Sequence, residues 1–561
     1  MSKKLTGKTL FFTTSPRSPM KMIPEIALLA EHFTGKTWSK TNQIAFIELL
    51  AQDANFEGEG FSGDLAFSAR DRINRAPQAL GFINLKPTIQ LTDVGTLFVQ
   101  KTRKEEIFLR QLLKFQLPSP YHLQDDRNTF CVKPYLEILR LIRTLEYVTF
   151  DEMCIFAMQL TDYRKFEDVV GKIRDFRVQK EQNAGRYKLF YRDVVVSELS
   201  EIYKDEIQSN NLSTRESNDV SLQKFIKTKR SNLRDYTDAC FRYLRATGLV
   251  AISHKGRSIS IMPDKLTDVD YILSNVERTP VFVDEIDDYK NYLFNPTIPN
   301  LYTDNEDNLI DYILRHSEMT KAQIEHYDIE QLKDLRDSII DRNRESIIET
   351  QIQQLKSYSL YNEVIDTYNE IISDELYDIP LMLEWNTWRA MTMLDGGSIT
   401  GNFKVDDAGQ PLSTASGNTA DITCDYETFG LTVEVTMQSG QRQYEAEGEP
   451  VARHLAKYKK ATNREAYCLF IAPQINDACI AHFYTLAKTN ISYYGGKSII
   501  VPLPLDVFMK MVENSYSAKF IPTPIHIKEL FDFAKETAEN AIDEKEWFNA
   551  VQSKALNWLV A

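Results

Sequence analysis

Apolar and polar residues alternate in two neighbouring stretches of the C-terminal third of the chain, residues 421–426 and 431–437. Both stretches contain threonines and β-branched or aromatic residues, and a short turn at residues 428–430 separates them. This pattern is typical of two β-strands joined as a hairpin. Further along, the unbroken apolar run at residues 466–472 predicts a strand that is buried on both faces.

Two acidic residues lie on the predicted hairpin. Asp421 opens the first strand, and Glu434 stands between two valines inside the second. Strand interiors disfavour carboxylates, so an acid at this place needs a reason. A hairpin brings Asp421 and Glu434 side by side, and paired carboxylates with open water positions suit Mg²⁺. The alternative is that Glu434 faces solvent on an edge strand and that Asp421 is a turn residue.

A helix is predicted after the glycine loop at residues 439–440, and it carries Glu447 and His454. These two residues are seven positions apart, close to two helical turns, so both side chains can share one helix face. Proline is tolerated in the first turn of a helix. This preference predicts that Pro450 lies in the first turn and that Glu447 lies at or before the helix start.

The N-terminal part combines helices, a short hairpin and several arginines. Helices are predicted at residues 23–33 and 43–51, and the stretch 67–78 leads into a strand, a turn, a strand and a helix. Helices followed by a hairpin are the pattern of a winged helix, which binds DNA. The alternative is a small α/β fold with solvated arginines. Guanidinium groups suit bidentate contacts to guanine, and the candidate DNA-binding residues here are Arg17, Arg70, Arg72 and Arg75.

Residues 121–265 predict a second unit of the same kind. Apolar periodicity indicates helices at 134–145 and 149–159, then a basic helix at 222–247 that Gly248 ends, then a hairpin. The alternative is that the charged residues form only a solvated helix face. The candidate DNA-binding residues are Lys227, Lys229, Arg230 and Arg234 on the helix, and Lys255 and Arg257 at the hairpin tip.

The chain is predicted to be a multidomain α+β protein with four parts. Residues 1–120 and 121–265 are two winged-helix-like DNA-recognition domains, residues 266–375 an acidic helical linker, and residues 376–561 an α/β cleavage domain. A chain of 561 residues, of which 43% are hydrophobic, is long enough to bury several cores.

The net charge of −14 hides an uneven distribution. Residues 301–375 hold 18 acidic and 7 basic residues, a balance of −11, whereas residues 224–257 hold 9 basic and 2 acidic residues, a balance of +7. A phosphate backbone responds to local charge, so the basic segment favours DNA contact despite the acidic average. The acidic segment is expected to face away from the duplex.

Several classes of protein are disfavoured by the sequence. It has no run of about 18 apolar residues that would predict a membrane span, and its N-terminus lacks the features of a signal peptide. The six cysteines are scattered without CxxC pairs, which favours reduced thiols in the cytoplasm over structural zinc. Walker, GxGxxG and HExxH motifs are absent from the sequence, so cofactor and ATP use are not indicated.

A set of short motifs accompanies the order acid, strand, acid, helix and buried strand, which is the order of the PD-(D/E)xK nuclease core. The motifs are Asp421, Glu434-Val435-Thr436, Glu447 to His454, Tyr467 to Pro473, Glu384 with Trp385 and Trp388, Ser15 to Pro19, and Phe67 to Arg72. With them the chain resembles the type IIS restriction endonucleases of the AlwI, PleI and MlyI group. It is also similar to the strand-specific nicking endonucleases related to that group.

The resemblance implies a catalytic site and a metal site in the C-terminal domain. The residues that match the family's catalytic site are Glu384, Asp421, Glu434, Glu447 and His454. Mg²⁺ would be bound by Asp421 and Glu434, with the backbone carbonyl of Val435 and with Glu384 completing the shell.

Two positions depart from the expected pattern. Ala420 stands where the family usually has a proline before the first acid, and Thr436 stands where the superfamily usually has a lysine. Another group must therefore play the role of this lysine, and the candidates are Gln441, Gln443, His454 and Lys457.

The predicted function is that of a sequence-specific, Mg²⁺-dependent endonuclease acting on double-stranded DNA. It would bind a short asymmetric site, for which the resemblance suggests a GAGTC-like sequence, and cut a few base pairs to one side. One catalytic domain cuts one strand, so a double-strand cut would need a second copy, a small partner subunit, or reorientation of the catalytic domain. One alternative is a DNA-binding regulator with an inactive nuclease-like domain. Another is a transposase-like or resolvase-like nuclease that joins strands.

Overall fold

A computed structural model describes residues 7–53, 63–100, 103–124, 130–214, 216–253, 256–394, 397–415 and 419–560. The chain divides into two compact units. One comprises Met1–His254 with Ser258–Asp337, and the other comprises Lys255–Arg257 with Ser338–Ala561. Both contain helices and strands, so the fold is α+β with more than one domain. The finer divisions at residues 120, 265 and 375 stay predictions.

The first unit begins with helices and a short antiparallel hairpin. In chain order the elements are α1 (Met22–Phe33), α2 (Lys40–Leu50), α3 (Leu65–Ile73), α4 (Ala76–Ala79), β1 (Ile83–Asn84), β2 (Gln90–Leu91), α5 (Asp93–Gln100) and α6 (Lys104–Lys114). Apolar side chains of α1, α2, α3 and β1 share one buried core. The predicted order of helices and hairpin is confirmed here.

The middle of the first unit contains a three-stranded sheet and a long basic helix. The elements are α7 (Pro134–Leu145), β3 (Tyr147–Thr149), α8 (Phe150–Ile155), α9 (Phe166–Gln182), α10 (Tyr187–Ile202), α11 (Lys204–Gln208), α12 (Leu222–Arg245), β4 (Val250–Ser253) and β5 (Ser258–Ile261). The sheet order is β3-β5-β4, with both pairs antiparallel. The predicted basic helix and its hairpin are confirmed, and Gly248 follows the helix with a positive φ of 69°. Strand β3 was not predicted because three residues are too short for a periodic signal.

The predicted acidic linker, residues 266–375, is helical, as predicted. Its helices are α13 (Leu266–Asn275), α14 (Ile286–Phe294), α15 (Glu306–His316), α16 (Lys321–Ile324), α17 (Ile329–Lys356) and α18 (Tyr361–Ile372). Within the first unit, buried side chains of helix α6 form hydrogen bonds to this linker. Lys114 donates to the carbonyls of Leu293 (3.0 Å) and Asn295 (2.7 Å), and Arg110 donates to the carboxylate of Asp304 (2.7 Å). The part of the linker that belongs to the first unit is therefore packed against α6.

The second unit is built around a five-stranded mixed sheet. Its further elements are α19 (Ile379–Leu394), β6 (Ser398–Gly401), β7 (Lys404–Val405), β8 (Pro411–Ser413), β9 (Ile422–Asp425), β10 (Gly430–Val435), α20 (Gln441–Thr462), β11 (Ala466–Ala472), α21 (Asp477–Lys488), β12 (Ile500–Pro504), α22 (Leu505–Ser517), α23 (Pro524–Asn540) and α24 (Glu544–Leu556). The sheet order is β12-β11-β10-β9-β6. Strands β10, β11 and β12 run parallel, whereas β9 pairs antiparallel with both β10 and β6. The predicted hairpin and the predicted buried strand β11 are confirmed.

Strand β10 is the central strand of this sheet. Strand β9 covers one of its edges and β11 the other, so the backbone of β10 is paired on both sides. Glu434, the last but one residue of β10, is only 5% exposed. The alternative in which Glu434 faces solvent on an edge strand is therefore wrong.

Helix α20 begins earlier than the sequence predicts. It starts at Gln441, directly after Gly440 with its positive φ of 61°, so Pro450 lies in the helix interior and Glu447 in the second turn. The prediction relied on proline's preference for a first turn and underestimated the preceding residues, which are mostly good helix formers. The buried side chain of Gln443 also fixes the first turn, since its amide donates to the carbonyls of Gln438 and Gln474 (2.9 Å each).

The six cysteines are free thiols, and five of them are buried. Among the described residues, no helix is long and apolar enough to span a membrane.

Candidate active site

The first two acids of the site are neighbours across the hairpin. The ladder between β9 and β10 pairs Ile422 with Val433, so the next position outward places Asp421 opposite Glu434. Directly opposed residues in an antiparallel pair point to the same sheet face. The backbone N–H of Val435 donates to Asp421 Oδ2 at 2.8 Å, which fixes the Asp421 carboxyl beside β10.

Burial and mutual repulsion raise the pKa values of both acids. Burial is the larger cause for each, followed by the charge of Glu434 for the Asp421 carboxyl and the charge of Glu447 for the Glu434 carboxyl. Ionising several buried carboxyls close together is costly without a compensating positive charge. The arrangement is therefore one that a bound cation would stabilise.

Glu384 joins this group from helix α19. It is buried, and its Oε2 accepts a hydrogen bond from the backbone N–H of Ala415 at 2.9 Å. Burial, and next the charge of Asp421, raise its pKa to about 9. Trp385 and Trp388 on the same helix are almost fully buried, as expected of core residues.

Glu447 and His454 reach the acids from helix α20. His454 Nδ1 lies 2.8 Å from Glu434 Oε1, which fits an Nδ1–H donor. Burial, followed by the charges of Arg453 and Lys457, lowers the pKa of His454 to about 4, so the imidazole is neutral at pH 7. Among the described residues, His454 Nε2 has no hydrogen-bond partner. Burial raises the pKa of Glu447, and a hydrogen bond from the Thr436 side chain opposes that rise.

The four candidates for the missing lysine differ in what they contact. The Gln443 amide is fully hydrogen-bonded to the backbone. Its nitrogen donates to two carbonyls, and its oxygen accepts from the N–H of Asn476 at 2.7 Å. Gln441 and Lys457 are exposed. His454 contacts the acid Glu434. The geometry therefore favours His454 over Gln443.

A divalent cation fits this donor set. Carboxylate oxygens are the ligands that Mg²⁺ prefers, and Mg²⁺ is commonly held by one or two carboxylates, with water and substrate phosphate completing its shell. Asp421 and Glu434 supply such a pair, and the repulsion that raises their pKa values would be relieved by the cation. Across the described ranges, no group of three or more His, Cys, Asp or Glu side chains is placed to hold a metal ion, so protein carboxylates would supply only part of the shell.

A comparison with known protein families decides the class of this protein. The family model described as AlwI restriction endonuclease matches residues 78–511, which is more than half of the chain. The chain belongs to the AlwI restriction endonuclease family. It is therefore a site-specific deoxyribonuclease, an enzyme that binds DNA and hydrolyses it at defined sequences. Enzymes of this class generally use divalent metal ions.

Two solved structures resemble parts of this endonuclease. The small subunit (R.BspD6I2) of the heterodimeric restriction endonuclease R.BspD6I is 28% identical, covers 34% of this chain and 98% of its own, and has a TM-score of 0.30. The BpuJ1 endonuclease binding domain, in complex with pyrene- and phenanthrene-modified DNA, is 13% identical, covers 51% of this chain and 97% of its own, and has a TM-score of 0.33. No curated protein matches the chain.

The arginines predicted to bind DNA in the N-terminal part of the endonuclease all contact protein groups. Arg72 pairs with the buried carboxylate of Glu25. Arg70 donates to Gln43 Oε1 at 2.8 Å, and Arg75 contacts Thr14 Oγ1 at 3.2 Å and Asp71 at 2.5 Å. Arg17 is largely exposed, with Asp238 at 3.5 Å. Their contacts with DNA stay predictions, and Arg17 is the most accessible of the four.

The basic residues of helix α12 divide into two groups. Lys229 lies 4.6 Å from the ring centre of Tyr203, and Arg230 lies 5.6 Å from that of Tyr191, so both are partly buried on aromatic rings. Lys227 and Arg234 are exposed, although Arg234 also lies over Phe150 at 5.0 Å. At the hairpin tip, Arg257 donates to Glu370 (2.8 Å) and Glu375 (3.3 Å). Lys255 lies outside the described residues. The exposed pair Lys227 and Arg234 is therefore the better candidate for contacting phosphates.

Two backbone groups at the site carry no sequence signal. The N–H of Ala415 contacts Glu384, and the N–H of Val435 contacts Asp421. Any non-proline residue offers such a donor, so residue types alone cannot reveal these contacts.

Glu384 should make the metal-free enzyme less stable as the pH rises. Its pKa is about 9 in the folded state against 4.5 without the protein environment, so the carboxyl's contribution is fully present below pH 4.5 and is lost as pH rises towards 9. Glu384→Gln keeps the shape and an oxygen for Ala415 but does not titrate. We expect the variant to exceed the wild type in unfolding free energy by several kcal/mol, with an upper limit of about 6 kcal/mol, at pH 9 in EDTA.

The measurement is denaturant unfolding in EDTA at pH 5.5 and pH 9. Glu536→Gln, at an exposed position on α23, is the matched control and should follow the wild type at both pH values. A Glu384→Gln variant that shows no advantage growing with pH would contradict the assignment of a buried, repelled carboxyl.

Proposed function

We propose that this endonuclease is a Mg²⁺-dependent type IIS enzyme that binds a short asymmetric site, GAGTC-like in sequence, and cuts a few base pairs outside it. The observation that supports the proposal most is the pair of carboxyls, the partly buried Asp421 and the buried Glu434, opposed on one face of a central strand pair. Glu384 and Glu447 act electrostatically on the same pair. When it is ionised, such a cluster destabilises a fold unless it binds a cation.

Within this proposal, residues 376–561 form a PD-(D/E)xK cleavage domain. Asp421 and Glu434 hold Mg²⁺, together with the carbonyl of Val435 and with Glu384 directly or through water. When bound, the ion lowers the pKa of a water and neutralises charge that develops on the scissile phosphate. Asp421 is kept in place by the N–H of Val435, so little reorganisation is needed at the moment of reaction.

In this proposal, Glu447 acts on the attacking water and His454 acts on a proton. Glu447 orients the attacking water through its carboxylate. His454 is held by its contact with Glu434, which directs Nδ1 towards that acid and leaves Nε2 as the acceptor nitrogen of a neutral ring. Its Nε2 can therefore accept a proton near the scissile phosphate.

Residues 1–120 and 121–265 are proposed to recognise the DNA as two winged-helix-like domains. Two observations support this: the chain order of helices and strands from α7 to β5, and the three-stranded sheet β3-β5-β4. In a winged helix the last helix enters the major groove and the hairpin follows the backbone. In this proposal helix α12 enters the major groove, with Lys227 and Arg234 towards the DNA. The β4–β5 hairpin follows the DNA backbone.

One catalytic domain carries one set of these carboxyls and therefore cuts one strand. Acting alone, the protein is proposed to nick DNA to one side of its site. A second copy or a small partner subunit would supply the cut in the opposite strand.

The proposal is tested on a supercoiled plasmid that carries a single candidate site. With Mg²⁺ we expect a nicked circle, and run-off sequencing should stop at a fixed offset on one strand only. With EDTA we expect intact plasmid. Stops on both strands would show double-strand cleavage instead, and plasmid that is bound but intact with Mg²⁺ would favour the inactive regulator. Joined 3′ ends would favour a strand-transfer nuclease.

A further inference from the structure

We propose that Asn402 is a positioning residue for Asp421, the first acid of the site. This inference rests on the proposed function, in which Asp421 holds a divalent cation. Asn402 lies directly after strand β6, and its two N–H donors bind the two peptide groups on either side of the Asp421 α-carbon. The side-chain Nδ2 donates to the carbonyl of Ala420 at 2.7 Å, and the backbone N–H donates to the carbonyl of Asp421 at 2.8 Å.

These two hydrogen bonds fix the direction of the Asp421 side chain. The Ala420 carbonyl belongs to the peptide group that precedes the Asp421 α-carbon, and the Asp421 carbonyl belongs to the one that follows it. Holding both peptide planes sets the two backbone torsions of Asp421 and hence the direction of its Cα–Cβ bond. At the other end of the side chain, the N–H of Val435 holds Oδ2 at 2.8 Å. The carboxyl is thus fixed from both ends.

The side-chain amide of Asn402 is needed because the β-ladder ends before Ala420. The pairing of β6 with β9 finishes at Gly401 opposite Ile422, and the backbone N–H of Asn402 extends it by one bond to Asp421. The Ala420 carbonyl lies one residue beyond that bond, where the Asn402 side chain supplies the donor. Alanine at position 402 would remove that donor, and aspartate would place an acceptor against the carbonyl.

Asn402 is itself held in place by the helix that carries Glu384. Trp388 of α19 donates from its indole nitrogen to the carbonyl of Ile399 in β6 at 3.1 Å. The ring of Phe403, next to Asn402, packs edge-on against the Trp388 ring with 6.0 Å between centres. Through these contacts one helix sets both the position of Glu384 and the strand that positions Asp421.

The test compares Asn402→Ala and Asn402→Asp with Asn514→Ala in the full-length protein. Asn514 is the matched control, since its Nδ2 also donates to a backbone carbonyl, that of Leu556 at 2.9 Å, away from the acids. The readouts are single-turnover nicking against Mg²⁺ concentration, the Mn²⁺ dissociation constant by electron paramagnetic resonance, and DNA affinity in EDTA. Both Asn402 variants should weaken Mn²⁺ binding about tenfold and raise the half-saturating Mg²⁺ concentration, as losses of groups behind metal ligands do. Their DNA affinity, and all three readouts of Asn514→Ala, should stay at the wild-type level.

Either of two Mn²⁺-binding results would overturn the inference. In one, folded Asn402→Asp binds Mn²⁺ as tightly as the wild type. In the other, Asn514→Ala weakens Mn²⁺ binding as much as the Asn402 variants, which would mean that general loss of stability is responsible. Glu434→Gln is measured alongside. If Glu434→Gln still nicks DNA, the proposed metal site itself is wrong. If Glu434→Gln is inactive but Asn402→Ala behaves like the wild type, only the role of Asn402 is refuted.

Discussion

Replacing Glu434 with glutamine should abolish DNA cleavage and leave DNA binding intact. Glutamine keeps the size of the side chain on the central strand but removes the charge that would hold the cation beside Asp421. It also changes the partner of His454 Nδ1, which now contacts the Glu434 carboxyl at 2.8 Å. Loss of metal stabilisation is worth several kcal/mol, so we expect the nicking rate to fall about 1000-fold or more.

The measurement is single-turnover nicking of a supercoiled plasmid with Mg²⁺, together with a gel-shift titration in EDTA. Glu427→Gln provides a matched control, because the same chemical change is made at an exposed position on the same hairpin. The control should cleave at the wild-type rate. A Glu434→Gln enzyme that cleaves as fast as the control would remove Glu434 from the site.

The second large effect is expected on DNA binding, when Lys227 and Arg234 of helix α12 are both replaced with alanine. These two side chains are exposed, unlike Lys229 and Arg230, which are partly buried over aromatic rings. If each contacts a phosphate, their loss should flatten the plot of log K against log salt concentration by about 2 units. Affinity at physiological salt should fall about tenfold or more.

Fluorescence anisotropy titrations at several salt concentrations give this slope directly. Lys519→Ala/Lys545→Ala removes two exposed positive charges from the second unit and serves as the control. If both double variants show the same slope as the wild type, α12 has only a solvated basic face. Because Arg234 also packs on Phe150, thermal unfolding should confirm that the α12 variant is folded.

The strands of the second unit could be predicted closely, because their signals are local. The run at residues 466–472 is apolar throughout, and β11 covers the same residues, all buried. The hairpin could be predicted because two alternating stretches are joined by a short turn, which leaves little freedom in their register. Once that register is set, Asp421 and Glu434 must be neighbours.

Features that depend on distant contacts could not be predicted. Strand β6 is short and mostly polar or partly exposed, so the contact of Asn402 with Ala420 has no local pattern. The early start of α20 depends on Gln443 contacting Gln438 and Gln474.

The same limit applies to the charged residues. A sequence shows which arginines cluster along the chain, but pairing partners such as Glu25 for Arg72 come from remote segments. Glu370, the partner of Arg257, is likewise far away in the sequence. Charge runs therefore identified basic segments and could not identify which side chains remain accessible to DNA.

The central claim, that Asp421 and Glu434 together hold a divalent cation, is tested most directly by crystals of the endonuclease grown with Mn²⁺. Data collected at the manganese absorption edge should show one anomalous difference peak between the two carboxyl groups, within about 2.2 Å of an oxygen of each. The peak should be absent from crystals of Glu434→Gln. A well-ordered wild-type crystal without a peak between Asp421 and Glu434, or with its Mn²⁺ bound elsewhere, would contradict the account.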